Sequence, residues 1–327
     1  VRETGEQLVT DGLLAAPPTF FEQVTMIGYL HFAECKVDLA VLEVGMGGRL
    51  DATNICQPVV TAITPIGFDH QQYLGNTLAE IATEKAGIIK PNIPVVVAPQ
   101  EEIASQAIVK RAAALNAPLI SVPDEFVAEP DVEFGRYRLR FGQYDALLAL
   151  RGRHQATNAM TAIHIAEQLN KAGWKIERAA IETGLSNTIW PGRLQLIEAP
   201  DFPTSLLLDG AHNADGARML CEFLDEHCRN VPITIIFGVM QDKAPREMAR
   251  ILFPAARKVI LTKANSPRAA DPQALAHELA TLHNSLICAA SLPEAMAEAS
   301  RDAMPNELVV VCGSLYLVGE TLAFTGQ

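Results

Sequence analysis

VDLAVLEVGMGGRLDATN, residues Val37 to Asn54, sets an apolar run against a glycine-rich exit. From Val37 to Val44 most side chains are aliphatic, the pattern of a parallel strand buried on both faces. Gly45, Gly47 and Gly48 then allow a sharp turn and a close approach of backbone to whatever lies beyond it. In open α/β sheets ligands bind outside the carboxyl ends of strands. Glu43, last residue but one of the run, puts a carboxylate at that edge. The glycines alone read equally well as a tight strand exit. GMGG is not the GxGxxG dinucleotide fingerprint, and no acidic ribose partner follows at the required distance.

Outward from this stretch the pattern repeats. Val59 to Ile66 and Ile93 to Pro99 read as further buried strands, with a helix from Leu78 to Ile88 between them. Phe126 to Leu150 alternates as antiparallel hairpins do, and helix resumes from Asn158 to Leu169. Prolines 191, 200 and 203 mark a domain boundary, placed after residue 195. Beyond it, strand and helix alternate again. The strands are Leu206 to Asp209, Ile233 to Met240, Lys258 to Ala264 and Glu307 to Ser314; the helices are Asp215 to His227, Pro245 to Leu252 and Pro272 to Leu282. This order predicts an α/β protein with mostly parallel sheets, its second half doubly wound. A chain of 327 residues exceeds what one core supports, so two domains are expected, 1–195 and 196–327.

Composition narrows the function. A net charge of −12 argues against broad binding to nucleic acid or an anionic membrane, so any phosphate or acidic substrate needs a local pocket. The six cysteines, Cys35, Cys56, Cys221, Cys228, Cys288 and Cys312, show no CxxC spacing and mostly sit in apolar runs, as buried thiols do in a reducing compartment. No run reaches the ~18 apolar residues of a membrane helix, and no signal peptide is visible. Cytoplasm is the expected location.

The second strand ends in ITPIGFDHQQYLG, which brings Asp69 and His70 to a strand end as Glu43 is to the first. A lone histidine is more often structural, but two strand ends offering Glu43 and His70 point to a divalent cation. Magnesium takes one or two protein ligands plus phosphates and water, and manganese tolerates the same set. TEKAGIIKP follows, with Lys85 inside the helix beyond that strand end. Glu84 and Lys85 read either as a solvated helix face or as a lysine turned inward.

PTFFE (Pro18–Glu22), EVGMGGRLDATN, ITPIGFDHQQYLG, TEKAGIIKP, GRHQATNA (Gly152–Ala159), PGRLQ (Pro191–Gln195), LDGAHNADG (Leu208–Gly216), FGVMQDK (Phe237–Lys243) and CGSLYLVGE (Cys312–Glu320) occur in that order. Through these blocks the whole chain resembles folylpolyglutamate synthase and the bifunctional dihydrofolate synthase/folylpolyglutamate synthase, members of the Mur ligase superfamily. The resemblance implies a Mur-type central ATPase domain followed by a smaller Rossmann-like domain. It implies ATP and two magnesium sites, with Glu43 and His70 as ligands and Lys85 carbamylated beside the second. Thr19, Phe20, Phe21 and Glu22, with Leu50, Asp51 and Ala52, would line a pterin pocket. Asn158, Arg193 and Asp209 would hold the nucleotide, His212 would lie near the glutamate, and Ser266 and Arg268 are further glutamate candidates. A substrate carboxylate would attack the γ-phosphoryl group of ATP, and the amine of L-glutamate would attack the resulting acyl phosphate. The family's usual state is a monomer, acting on small molecules.

Two departures from the family stand out. Its GTNGKGS-like phosphate loop has no counterpart in these residues, where no GxxxxGK[ST] occurs. That loop is therefore expected upstream of Val1, with an incomplete central sheet and little or no ligase activity for these 327 residues alone. Ala214 stands where many relatives have proline. Three other readings stay open: a Mur-type ligase acting on nucleotide-linked sugars, a non-catalytic binding protein, and, from the sheet alone, a nicotinamide-dependent dehydrogenase. The blocks leave open whether dihydrofolate synthesis, polyglutamate extension or both is the activity.

Overall fold

In the computed structural model, which describes residues 1–123, 126–199 and 202–326, the chain divides into two units. The first is Val1–Val122 with Glu167–Trp174; the second is Pro123–Ala166 with Lys175–Gln327. Pro200 lies outside the described residues.

The first unit runs α1 (Arg2–Thr10), α2 (Phe20–Cys35), β1 (Thr61–Ile63), α3 (Gln71–Leu74), α4 (Leu78–Lys85), β2 (Val95–Val97), α5 (Glu102–Ala114) and β3 (Leu119–Ser121). Its sheet is parallel, in the order β1-β2-β3, with Ala62, Val96 and Ile120 in register. β-Branched side chains fill β2, and helix α4 is launched by a capping box in which the Thr77 hydroxyl and the Glu80 carboxylate satisfy each other's backbone N–H groups. Ile81, Ala82, Ile108, Val95 and Val97 close the core beneath α4 and α5.

The expected strand at Val37 to Val44 does not form. A strand exists through ladder hydrogen bonds to a neighbour, and among the described residues none pairs with this segment; β1 pairs with β2 alone. Val37, Leu39 and Val41 are exposed, Val41 at 89%. Apolar composition states a preference for burial, but it supplies no partner. Helix α2 shows the same division. It starts on a capping box between Thr19 and Glu22 and is apolar along its length, yet it contains no buried residue.

The second unit opens with β4 (Val127–Pro130), β5 (Tyr137–Phe141) and β6 (Tyr144–Leu147), the antiparallel hairpins read from the alternation. Helices α6 (His154–Lys171), which counts with the first unit from Glu167 onward, and α7 (Arg178–Asn187) follow. Then come β7 (Gln195–Ile197), β8 (Ser205–Leu208), α8 (Ala214–His227), β9 (Ile233–Phe237), α9 (Pro245–Leu252), β10 (Lys258–Leu261), α10 (Pro272–Leu279), β11 (Leu286–Cys288), α11 (Leu292–Arg301), β12 (Leu308–Cys312) and α12 (Leu315–Phe324). The large sheet has the order β11-β10-β9-β12-β8-β7, parallel except for β7. Successive strand residues feed opposite cores. Leu207, Ile235, Val259 and Val310 face one core with α8, α9 and α10, while Leu206, Ile236, Ile260 and Val309 face the other with α11 and α12. This is the doubly wound arrangement expected of the second half. Phe134 and Tyr137 of the hairpin region meet Phe223 and His227 of α8, and Gly135 leaves the space that the Phe223 ring occupies.

Of the six cysteines expected as buried thiols, Cys228 and Cys312 are buried, Cys56, Cys221 and Cys288 are half-buried, and Cys35 is exposed, because α2 buries no face. Among the described residues, no helix is long and apolar enough to cross a membrane.

Candidate active site

In the first unit the glycine-rich loop after Val44 lies against the end of α4. A Cβ on Gly48 would sit 2.8 Å from the Glu84 carbonyl oxygen and 2.9 Å from that of Lys85, and one on Gly87 would sit 2.4 Å from Arg49 Cα. The Arg49 N–H donates to the Glu84 carbonyl, and its side chain pairs with the Glu84 carboxylate at 3.1 Å. Gly48 and Gly87 are thus required by two backbones in contact, and the contact fixes the helix end that carries Lys85. Lys85 is half-buried; burial pulls its amine below the ordinary lysine value, and the charge of Asp69 pulls it partly back. Asp69 also receives the His70 N–H, with His70 in the left-handed region at φ 52.

Asp51 braces the same loop. Its carboxylate accepts from the Met46 N–H, the Thr53 N–H and the Thr53 hydroxyl. Burial alone would raise this carboxyl, but those hydrogen bonds outweigh it and hold Asp51 below the ordinary range. Of the pterin candidates on α2, Phe21 reaches this loop. The Phe21 ring fills the space above Gly45, the Tyr29 hydroxyl donates to the Thr53 carbonyl, and Ala52 begins a short 3₁₀ turn. Thr19 and Glu22 are engaged with each other in the α2 cap, while Phe20 and Leu50 are exposed.

Glu43 and His70 are both exposed, and among the described residues Glu43 makes no hydrogen bond or ion pair. No three His, Cys, Asp or Glu side chains among the described residues gather as an ion cage. The exposed Glu43 carboxylate and the His70 imidazole at the start of α3 are residue types that suit an ion taking one or two protein ligands and completing its shell from phosphate and water.

The second unit assembles the other candidates at the amino end of α6 and the carboxyl end of β8. Asp209 follows β8; its two oxygens accept from the Leu194 and Ala211 N–H groups, each at 2.9 Å. Burial pushes its carboxyl up, against those two hydrogen bonds and the charges of Arg193 and His212, which pull it down. His212 Nδ1 lies 2.8 Å from the Gly210 carbonyl, which can only accept, so Nδ1 carries the proton. On α6, Asn158 donates to the Gln155 side-chain carbonyl, and the Gln155 amide donates to His154 Nε2 at 2.9 Å. His154 therefore accepts as a neutral imidazole. Its burial, with Arg193 nearby, lowers it to about 4.

The structure thus joins Asn158, Arg193, Asp209 and His212, and adds His154 and Gln155, which were quoted within GRHQATNA without an assigned part. The signal was their spacing, because positions 154, 155 and 158 share one turn of helix. Ser266 and Arg268 lie together on the loop after β10; the Ser266 hydroxyl accepts from the Arg268 N–H, and Arg268 pairs with Asp242 at 3.1 Å.

Both halves of the chain match models of Mur ligase domains. Residues 2–166 match the Mur ligase middle domain, and residues 192–315 match the Mur ligase glutamate ligase domain. The chain is 36% identical over 319 residues to a dihydrofolate synthase/folylpolyglutamate synthase of Bacillus subtilis, covering 93% of this chain and 71% of that protein. It superposes on the Mycobacterium tuberculosis folylpolyglutamate synthase complexed with ADP and AMPPCP with a TM-score of 0.88 at 29% identity, over 99% of this chain and 76% of that one. On the E. coli FolC structure in complex with DHPP and ADP the TM-score is 0.81 at 27% identity, over 94% and 71%. The chain belongs to the folylpolyglutamate/dihydrofolate synthase family of the Mur ligases, which are acid–amino-acid ligases.

Proposed function

We propose that this chain serves the ATP-dependent, ADP-forming addition of L-glutamate to a folate or dihydropteroate acid. The observation that carries it is the cluster of Asp209, Arg193, His154 and Asn158 at one strand end and one helix start. It is a polar nucleotide edge in a chain whose relatives include ADP complexes.

In this reading Arg193 meets phosphate with its guanidinium, whose planar fork suits two oxygens at once. Asn158 and Gln155 present amides to the nucleotide. The substrate carboxylate attacks the γ-phosphorus and the bond to ADP breaks. The amine of glutamate then attacks the acyl carbon, phosphate leaves, and the amine proton is lost. His212, fixed by its bond to Gly210, is assigned to the glutamate end, with Ser266 and Arg268 as further contacts. Thr19 to Glu22 and Leu50 to Ala52 are assigned to the pterin side.

Glu43 and His70 would hold magnesium, which offsets the negative charge of the phosphates during transfer. Lys85 is assigned as a carbamate. That modification begins from a neutral amine, which its partial burial favours. The protein is assigned to the cytoplasm as a monomer, with domains divided near residue 195.

Calorimetric titration tests this reading. Saturable binding of ADP and of dihydropteroate or a reduced folate is expected, with none of a nucleotide-linked sugar. Binding of the sugar nucleotide in place of the pterin acid would assign the chain to another branch of the superfamily.

A further inference from the structure

Trp190 precedes the loop that carries Arg193, and it is a large aromatic left 53% exposed, outside the packed cores. The Arg193 guanidinium carbon lies 5.9 Å from the centre of its ring. Among the described residues the Arg193 side chain makes no hydrogen bond and no ion pair, and the indole face is the group it lies against. Beneath the two side chains the backbone is fixed at several points. The Gly192 N–H donates to the Gln195 side chain at 2.8 Å, the Gly210 N–H to the Gly192 carbonyl at 2.7 Å, and the Leu194 N–H to Asp209 at 2.9 Å. Leu194 is held in the left-handed region at φ 42, which a branched side chain adopts only where its surroundings impose it.

We propose that Trp190 is a positioning residue for Arg193, its indole face holding the guanidinium beside Asp209 and His154 so that its N–H donors are poised for a nucleotide phosphate. The inference rests on the nucleotide reading of Arg193. A long cationic side chain at a surface loses rotamer freedom when a ligand captures it, and ordering it beforehand lowers that loss. Cation–π attraction holds the side chain while leaving every N–H available, which an ion pair to a carboxylate would not. The influence of Arg193 on both His154 and Asp209 agrees with a guanidinium held at the cluster.

Three variants separate the possibilities: Trp190→Leu, Trp190→Phe and Arg193→Met. Two quantities are measured in each, the ADP dissociation constant by calorimetry and the His154 titration by NMR. Trp190→Leu is expected to weaken ADP binding about three- to fivefold, the size of an exposed cation–π contact. It should also shift His154 upward, part of the way that Arg193→Met does. Trp190→Phe, which keeps an aromatic face, should stay near the unsubstituted chain in both. A purely structural tryptophan would lower the melting temperature on Trp190→Leu without moving His154, and that result overturns the proposal. So does an unmoved His154 in Trp190→Leu alongside a raised one in Arg193→Met. Unchanged ADP affinity in Arg193→Met refutes the nucleotide reading of Arg193 itself, and the His154 titration still judges whether Trp190 holds the side chain.

Discussion

Two glycines in the first unit show how one hydrogen atom in place of a side chain can be a tertiary requirement. Gly87 faces Arg49 Cα at a distance no Cβ tolerates, and both partners are backbone, which cannot swing aside. Gly28, inside α2, has nothing within 4 Å. Gly87→Ala is therefore expected to destabilise the chain by about 2 kcal/mol or more, whereas Gly28→Ala should stabilise α2 by up to about 1 kcal/mol through helix propensity. Melting temperatures of the two variants should move in opposite directions, and a shared direction would refute the packing account. Lys85 belongs to the same contact. Incubation with ¹³C-bicarbonate should give a carbamate carbonyl signal that is lost in Lys85→Arg; a signal that survives the substitution would place the modification elsewhere.

Elements of the second unit are joined below the sheet by a polar clasp. Glu307, just before β12, is buried; it accepts from the Thr234 hydroxyl of β9 and from Arg257, just before β10, at 2.9 Å. Burial alone would raise its carboxyl, but the Thr234 hydroxyl, the Met304 N–H and Arg257 outweigh it and hold Glu307 below the ordinary range. A carboxyl lowered by folding contributes stability that is complete above its unfolded value and is lost as pH falls through the lower folded one. Glu307→Gln should cost about 2 kcal/mol near neutrality, discounted because Arg257 is a third exposed. The variant should also lose less stability than the parent as the solution is acidified through the ordinary glutamate range. Urea midpoints at a series of pH values measure both, and parallel pH profiles would exclude this role. Elements of this kind were legible from sequence where the period was long enough to count, as in the hairpins of β4 to β6 and the strands β8, β9, β10 and β12. The three-residue strands β3, β7 and β11 were not, being too short to show alternation and lacking the longer apolar runs that marked β1 and β2. Val37 to Val44 failed for the opposite reason, because its pattern was clear but a ladder needs a neighbour. At the site, a strand end placed Asp209 directly, whereas Glu43 lies in the segment that forms no strand and His70 lies beyond β1, at the start of α3. The contact of Gly48 and Gly87 with the helix end at Lys85, and the left-handed Leu194, arise from tertiary packing and leave no periodic trace.

At the scale of the whole molecule, each unit has its own core, and they differ in quality. The second unit places helices on both faces of a six-stranded sheet and fills two cores with fully buried aliphatic side chains. The first rests on three short strands with α4 and α5, while α1 contributes only Gly5 to the buried set and α2 contributes none. Hydrophobic stabilisation scales with apolar area removed from water, so the first unit has less holding it per residue ordered. The two tryptophans report the units separately, since Trp174 belongs to the first and Trp190 to the second. Followed by fluorescence in urea, Trp190→Phe should reveal the first unit unfolding at the lower midpoint, and Trp174→Phe the second at the higher. Because neither substitution removes a buried core side chain, both should leave the far-ultraviolet dichroism of the folded chain unchanged and give the same biphasic dichroism curve. Coincident fluorescence midpoints with a single dichroism transition would mean that the 327 residues unfold as one cooperative body, and the two units would then have to be treated as one.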